Sequence, residues 1–152
     1  KLASSIDILP TIAVITGASL PGKKIDGVNI LPLLLGDKTA SPRHNFYYYY
    51  QVNSLEGVQK EYWKLVLPHQ YRSYVGSEPG KDGWPGKTKN VTMTEPELYD
   101  LRRDPGERYN VSAFYPEILK ELQALAEEAR KDLGDDIRKV SGVNRRKPGS
   151  IE

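Results

Sequence analysis

The chain has no cysteine, so disulfide staples, thiolate metal sites and a thiol nucleophile are all excluded. Imidazoles are nearly as scarce, with His44 and His69 the only two. No apolar run approaches the roughly 20 residues needed to span a bilayer, and Ile30 to Leu35 falls far short. The N-terminal stretch Lys1–Ser5 lacks the apolar core of a signal peptide, so an export signal is expected upstream if there is one. A strong excess of one charge is also missing. The formal net charge of +2 is too small to argue for nucleic acid. Basic residues are spread along the chain except at Arg145-Arg146-Lys147, which has no aromatic interleaving and reads as a solvated tail. What remains is the balance of a soluble globule, 38% apolar and 28% charged. At 152 residues one core is feasible.

Punctuation by Pro and Gly divides the chain. Ser4 or Ser5 can cap a helix that tolerates Pro10 in its first turn and stops at Gly17. Ile8, Leu9, Ile12, Val14 and Ile15 make its apolar surface wider than an amphipathic stripe, so it expects cover on most sides. From Ala18 to Arg43 the chain reads as a connector, with room for one helical turn at Ile30–Leu35. Three strand candidates follow at Asn45–Gln51, Leu55–Lys60 and Tyr62–Leu67, and a fourth at Leu98–Leu101. The second and third are separated only by a turn near Lys60-Glu61, which favours antiparallel pairing. Asp104-Pro105-Gly106 supplies a tight turn, with Gly106 expected to take the positive φ. Residues 68–96 read as a long irregular loop, and loops of that length are usually functional or disordered. The clearest element is a helix over residues 116–133, with Pro116 in its first turn and Gly134 past its end. It carries Ile118, Leu119, Leu122, Leu125, Ala126, Ala129 and Leu133 on one face.

The expected fold class is therefore α+β: about four antiparallel strands packed by a long C-terminal helix, plus a separate N-terminal helix. The domain reading is 1–43 helix and connector, 44–134 sheet, loop and helix, and 135–152 extended tail.

Few residues point to chemistry. His69 ends a strand and opens the long loop in the run Leu67-Pro68-His69-Gln70-Tyr71-Arg72, where binding residues concentrate; an exposed loop histidine is the plainer reading. His44 reads as a strand-edge residue. Tyr47-Tyr48-Tyr49-Tyr50 alternate, two rings toward a core and two outward, where they could stack on a sugar ring. Asp7 reads as capping the first helix, since no second carboxylate stands near it for a metal. Asp135-Asp136 read as a solvated helix-end pair. Asn90-Val91-Thr92 and Asn110-Val111-Ser112 match the short glycosylation pattern.

The order of several short motifs is more specific than any one of them. These are Asp7-Ile8-Leu9-Pro10-Thr11, Gly17, Asp26-Gly27, Phe46-Tyr47-Tyr48-Tyr49 and Tyr62-Trp63-Lys64-Leu65. Leu98-Tyr99-Asp100-Leu101 and Asp104-Pro105-Gly106-Glu107 follow, then the closing helix. In this order they resemble the C-terminal part of a type I sulfatase, of the arylsulfatase-A-like subgroup in the alkaline-phosphatase-like superfamily. The resemblance implies a fragment of a sulfuric ester hydrolase whose first helix belongs to a parent α/β catalytic domain. The parent is then expected to use calcium and a formylglycine made within Cys/Ser-x-Pro-x-Arg. Ser77-Glu78-Pro79-Gly80-Lys81 ends in Lys instead of Arg, so no catalytic or metal-binding residue is carried over. The implied partners are the catalytic domain of the same polypeptide and a sulfated carbohydrate or aryl sulfate, with no nucleic acid and no membrane span. His69, Tyr71 and Arg72 are the candidate substrate-binding residues, and the isolated chain is expected to be inactive. For the parent, a periplasmic, secreted or lysosomal setting is implied. Two other readings remain open: a non-catalytic glycan- or protein-binding module, and the C-terminal part of a related phosphatase or phosphodiesterase.

Overall fold

Pro116 and Gly134 bracket the longest helix, α3 (Pro116–Leu133), in a computed structural model that describes residues 1–146. Proline needs no amide partner in the first turn, and Gly134 takes a φ of +86° just past the helix end. The helix buries Leu122, Leu125, Ala126 and Ala129 and leaves Ile118 and Leu119 partly buried. Its two buried alanines carry little bulk, which lets the helix axis approach the sheet.

The partner of α3 is a four-stranded antiparallel sheet in the order β1 (Asn45–Tyr50), β2 (Ser54–Lys60), β3 (Trp63–Val66) and β6 (Glu97–Asp100). Its register sets Leu65 opposite Leu98 and Lys64 opposite Tyr99. Residues directly opposite share a face, so the two leucines join Leu55, Val58 and Leu67 against α3, while Lys64 and Tyr99 face away. Tyr47 and Tyr49 also pack on this core, so the tyrosine run alternates as expected. The Tyr49 hydroxyl donates to Gly134 O at 2.8 Å and Ala129 O at 3.2 Å, and Asn53 Nδ2 donates to Leu133 O at 3.0 Å. Carbonyls that a helix C-terminus leaves without partners are thus satisfied from the β1–β2 turn region.

Several expectations need correction. The 68–96 loop contains a hairpin: β4 (Gln70–Ser73) pairs antiparallel with β5 (Lys89–Thr92), anchored by Met93 N donating to His69 O. Polar strands of four residues gave too little hydrophobic alternation to announce themselves. Positive φ in the turn after β6 falls on Glu107, at +52°, and not on Gly106. There the Asp104 carboxylate accepts the Arg108 and Tyr109 amides, and this bonding holds the turn. Asp135 is not solvated: it is buried, and its Oδ2 accepts from Arg130 Nε at 2.9 Å. It lies in β7 (Gly134–Asp135), which pairs with β8 (Val140–Ser141), so the segment after α3 starts with a short ladder. Asp136 pairs with Arg145 on the surface. Lys147, the last of the basic tail triplet, lies outside the described residues.

The chain divides into two compact units. One comprises Lys1–Phe46 with Lys60–Tyr62; the other comprises Tyr47–Gln59 and the chain from Trp63. In the first, a 3-10 turn over Ser5–Asp7 leads into α1 (Ile8–Thr16), and α2 (Leu31–Leu34) is the single turn expected near Leu33. Gly17 ends α1 with φ at +72°. Asp7 is the organiser here. Its carboxylate accepts from the Ser4 and Val28 amides at 2.8 and 2.9 Å and pairs with the Arg43 guanidinium. Burial pushes the Asp7 carboxyl up, but the Arg43 hydrogen bond, the two amides and the Arg43 charge together hold it below the ordinary value. Thr11 adds a second tie, donating to Asp7 O and accepting from Ile30 N. The inward side of α1 is therefore small and polar, with Pro10, Thr11 and Ala13 buried. Its bulky side chains are exposed: Ile8, Leu9, Ile12 and Ile15 are each more than half open.

Candidate functional site

The β4–β5 hairpin begins where β3 ends, and His69 is the residue at the junction. Its imidazole is nearly enclosed, with 8% of the side chain exposed. Nδ1 lies 2.6 Å from Leu67 O, and a carbonyl only accepts, so this nitrogen carries the hydrogen. Nε2 lies 3.4 Å from Glu56 Oε2 of β2. Both ring nitrogens therefore face protein oxygens, and the ring stands 5.6 Å from the Tyr71 ring. This arrangement ties the start of the hairpin to the central sheet.

Tyr71 and Arg72 follow on β4 and are exposed. Hairpin register sets Arg72 opposite Asn90, so the guanidinium and a carboxamide rise from the same face. Beside them an open groove of about 560 Å³ runs from the end of β1, at Tyr50, to the outer end of β4, at Tyr74. Glu56 lines the same groove, which connects it to the His69 tie. Sequence reasoning singled out Tyr71 and Arg72 as candidate substrate-binding residues and did not find Glu56 or Asn90 as their neighbours along the groove. Nothing local in Ser54-Leu55-Glu56 marks a carboxylate that reaches this groove. The outward half of the tyrosine run was the available pointer to Tyr50.

The sheet face away from α3 carries a second polar group of side chains. Lys64 Nζ donates to both carboxylate oxygens of Glu107 at 2.7 and 2.9 Å and sits 4.6 Å from the centre of the Tyr48 ring. The Tyr48 hydroxyl donates to Gln59 Oε1, and the Tyr99 hydroxyl donates to Glu97. Burial, then the Glu107 charge, pushes the Tyr48 phenol up; burial, then the Glu97 hydrogen bond, raises that of Tyr99. These donors and acceptors are matched to one another, so this face is packed by polar contacts within the chain.

Among the described residues no three His, Asp or Glu side chains converge to hold an ion. The most deeply buried carboxylate of the first unit, Asp7, is already filled by two amides and a guanidinium. Among the described residues no helix is long and apolar enough to cross a membrane.

A small antiparallel sheet with one long helix across a single face defines an α+β unit, and an open groove lies beside its hairpin. Residues 41–148 match the family described as the C-terminal region of aryl-sulfatase, and the chain belongs to that family. Human arylsulfatase A is 37% identical over 134 residues, covering 82% of this chain and 26% of its own length. Mouse steryl-sulfatase is 32% identical over 143 residues, covering 86% of this chain and 23% of its own. Among solved structures, a Bacteroides thetaiotaomicron 6S-sulf from a locus for metabolism of multiple glycosaminoglycans superposes with a TM-score of 0.58 at 28% identity. That match covers 82% of this chain and 24% of the other. The chain thus spans about a quarter of the length of the relatives it matches.

Proposed function

We propose that this chain is the C-terminal subdomain of a sulfatase, where it supports the catalytic domain and forms one wall of the substrate pocket. The observation that carries the reading is the family match across residues 41–148. A second observation favours an attached domain: α1 turns its bulky face outward, leaving Ile8, Leu9, Ile12 and Ile15 exposed. An apolar surface of this kind normally meets a partner. The reaction assigned to the whole enzyme is hydrolysis of a sulfuric ester on a carbohydrate or aryl group. Its formylglycine nucleophile and calcium ion belong, on this reading, to the catalytic domain: this sequence contains no Cys/Ser-x-Pro-x-Arg motif, and among the described residues no His, Asp and Glu side chains converge on an ion.

Within that enzyme, Arg72 is assigned to pair with an anionic substituent and Tyr71 to pack on the substrate body. His69 holds the hairpin that presents them through Leu67 O and Glu56. The test is steady-state kinetics of Arg72→Ala, Tyr71→Ala and His69→Ala in the full-length enzyme. Losses in kcat/KM should depend on the sugar or aryl group carrying the sulfate, and small generic aryl sulfates should lose least. Equal losses on every substrate would indicate damaged folding instead of lost contacts. No loss on any substrate would remove the hairpin from the pocket.

A further inference from the structure

The groove beside the hairpin collects side chains that the rest of the molecule leaves uncommitted. Tyr48, Tyr49 and Tyr99 spend their hydroxyls on protein acceptors. Tyr50, Tyr71 and Tyr74 do not: among the described residues their hydroxyls have no partner, and the residues are 54%, 44% and 57% exposed. Arginines show the same contrast. Arg43, Arg102, Arg130 and Arg145 each pair with a carboxylate. Arg72, exposed on β4, has no carboxylate partner among the described residues. All four of these side chains border the one groove, with the Asn90 carboxamide opposite Arg72.

We propose that this groove is a sugar-binding site that takes a pyranose ring bearing one anionic substituent, as an interior unit of an acidic glycan. Each part of the lining matches one part of such a ring. A half-exposed tyrosine offers a rigid apolar face to the C–H side of a pyranose and keeps its hydroxyl at the wet rim. Carboxamides, and the Glu56 carboxylate fixed by His69, accept from ring hydroxyls. Arg72 supplies a planar fork of donors that fits a carboxylate or a sulfate ester in two-point geometry. The volume of about 560 Å³ holds more than one ring and lies within the ~300–1,000 Å³ range of small-ligand sites. Glu56 lies in the same lining, so a second negative group would be repelled near it; the charge-bearing substituent belongs at the Arg72 end. The groove lies wholly within the second unit, so it needs no catalytic domain to bind. The assignment deepens the pocket-wall reading and rests on it only for the link between binding and turnover.

The experiment is isothermal titration of the full chain with three hexasaccharides. One carries uronate without sulfate (hyaluronan), one carries both (chondroitin sulfate), and one is neutral (maltohexaose). The two acidic probes separate carboxylate from sulfate ester as the source of the anion. Saturable binding of at least one acidic probe is expected, and the neutral probe should bind about tenfold more weakly or worse. Arg72→Ala and Tyr50→Ala should each raise Kd by about tenfold. Both side chains are exposed, so unchanged melting temperatures verify that the variants fold. Equal binding of maltohexaose would overturn the anionic assignment. Acidic binding that Tyr50→Ala leaves untouched would reduce the effect to ion exchange on surface lysines, and absence of binding at millimolar probe would also overturn it. None of these failures touches the sulfatase reading, which is tested separately by turnover of a small aryl sulfate in the full-length enzyme.

Discussion

Replacing Asp135 by alanine should be among the most damaging single changes in the second unit. The carboxylate is 1% exposed and its partner Arg130 is 5% exposed, so neither charge has water to fall back on. Arg130 Nε donates to Asp135 Oδ2 at 2.9 Å, and Ile137 N donates to Oδ1 at 3.1 Å. The substitution strands a buried guanidinium and an amide together. Breaking one partner of a buried pair costs about 3–5 kcal/mol. Here the lower end applies, because Arg130 Nη1 keeps a bond to Glu127 at 2.5 Å, and Glu127 is well exposed. Urea unfolding of Asp135→Ala should therefore give a loss of about 3 kcal/mol, with the m-value unchanged. The double variant Arg130→Met, Asp135→Ala separates a stranded charge from lost packing. It removes the guanidinium while keeping an apolar stem, and should recover a large part of the loss, since a buried pair exchanged for apolar groups is often near neutral. A single-variant loss below about 1 kcal/mol would mean that the pair behaves like an exposed ion pair, and the burial argument would be refuted.

Three further outcomes follow from the packing and the titrating groups. Leu122→Ala, at a position 1% exposed beneath the sheet, should cost about 2–5 kcal/mol in the same unfolding assay, whereas Leu34→Ala at an exposed position should stay within about 0.5 kcal/mol. The Tyr49 phenol is pushed up to about 12 by burial, then by the Asp135 charge. Its contribution should be whole below the ordinary phenol value of about 10 and lost as pH rises through about 12, and Tyr49→Phe should delete that step from an ultraviolet titration. Asp7 behaves oppositely: its folded carboxyl lies below the ordinary value, so its contribution is present above about pH 4 and is lost as pH falls through the lower folded value. Asp7→Asn should flatten that acid limb in amide exchange of α1, and an unchanged acid limb would count against the Arg43 tie.

Sequence legibility followed the strength of the local signal. Helix α3 was readable to its ends because Pro116, Gly134 and an eighteen-residue apolar repeat all agree. The strand at Tyr62–Leu67 was readable because its residues alternate, and the structure turns Trp63, Leu65 and Leu67 to the core. The β4–β5 pair was hidden because Gln70-Tyr71-Arg72-Ser73 and Lys89-Asn90-Val91-Thr92 have no buried face to enforce alternation. Asp135 looked solvated because its partner, Arg130, sits five residues back on the helix, and a charge pair at that spacing is not a surface neighbour pattern. His69, Tyr71 and Arg72 stood out in the sequence by their place at a strand end, and the hairpin sets Tyr71 and Arg72 on the groove. The enclosure of His69 by Leu67 O and Glu56 was not legible, since it depends on a residue thirteen positions away. Tyr50, Glu56 and Asn90 come together only through the sheet and the hairpin register.

The measurement that tests the central claim most directly is turnover of an aryl sulfate in the presence of calcium. It compares this chain alone with the same chain joined to the proposed sulfatase catalytic domain. The account predicts hydrolysis by the full-length protein and none above a buffer blank by the chain alone. Metal-dependent turnover by the isolated chain, or a folded full-length protein inactive on every sulfate ester tried, would contradict it.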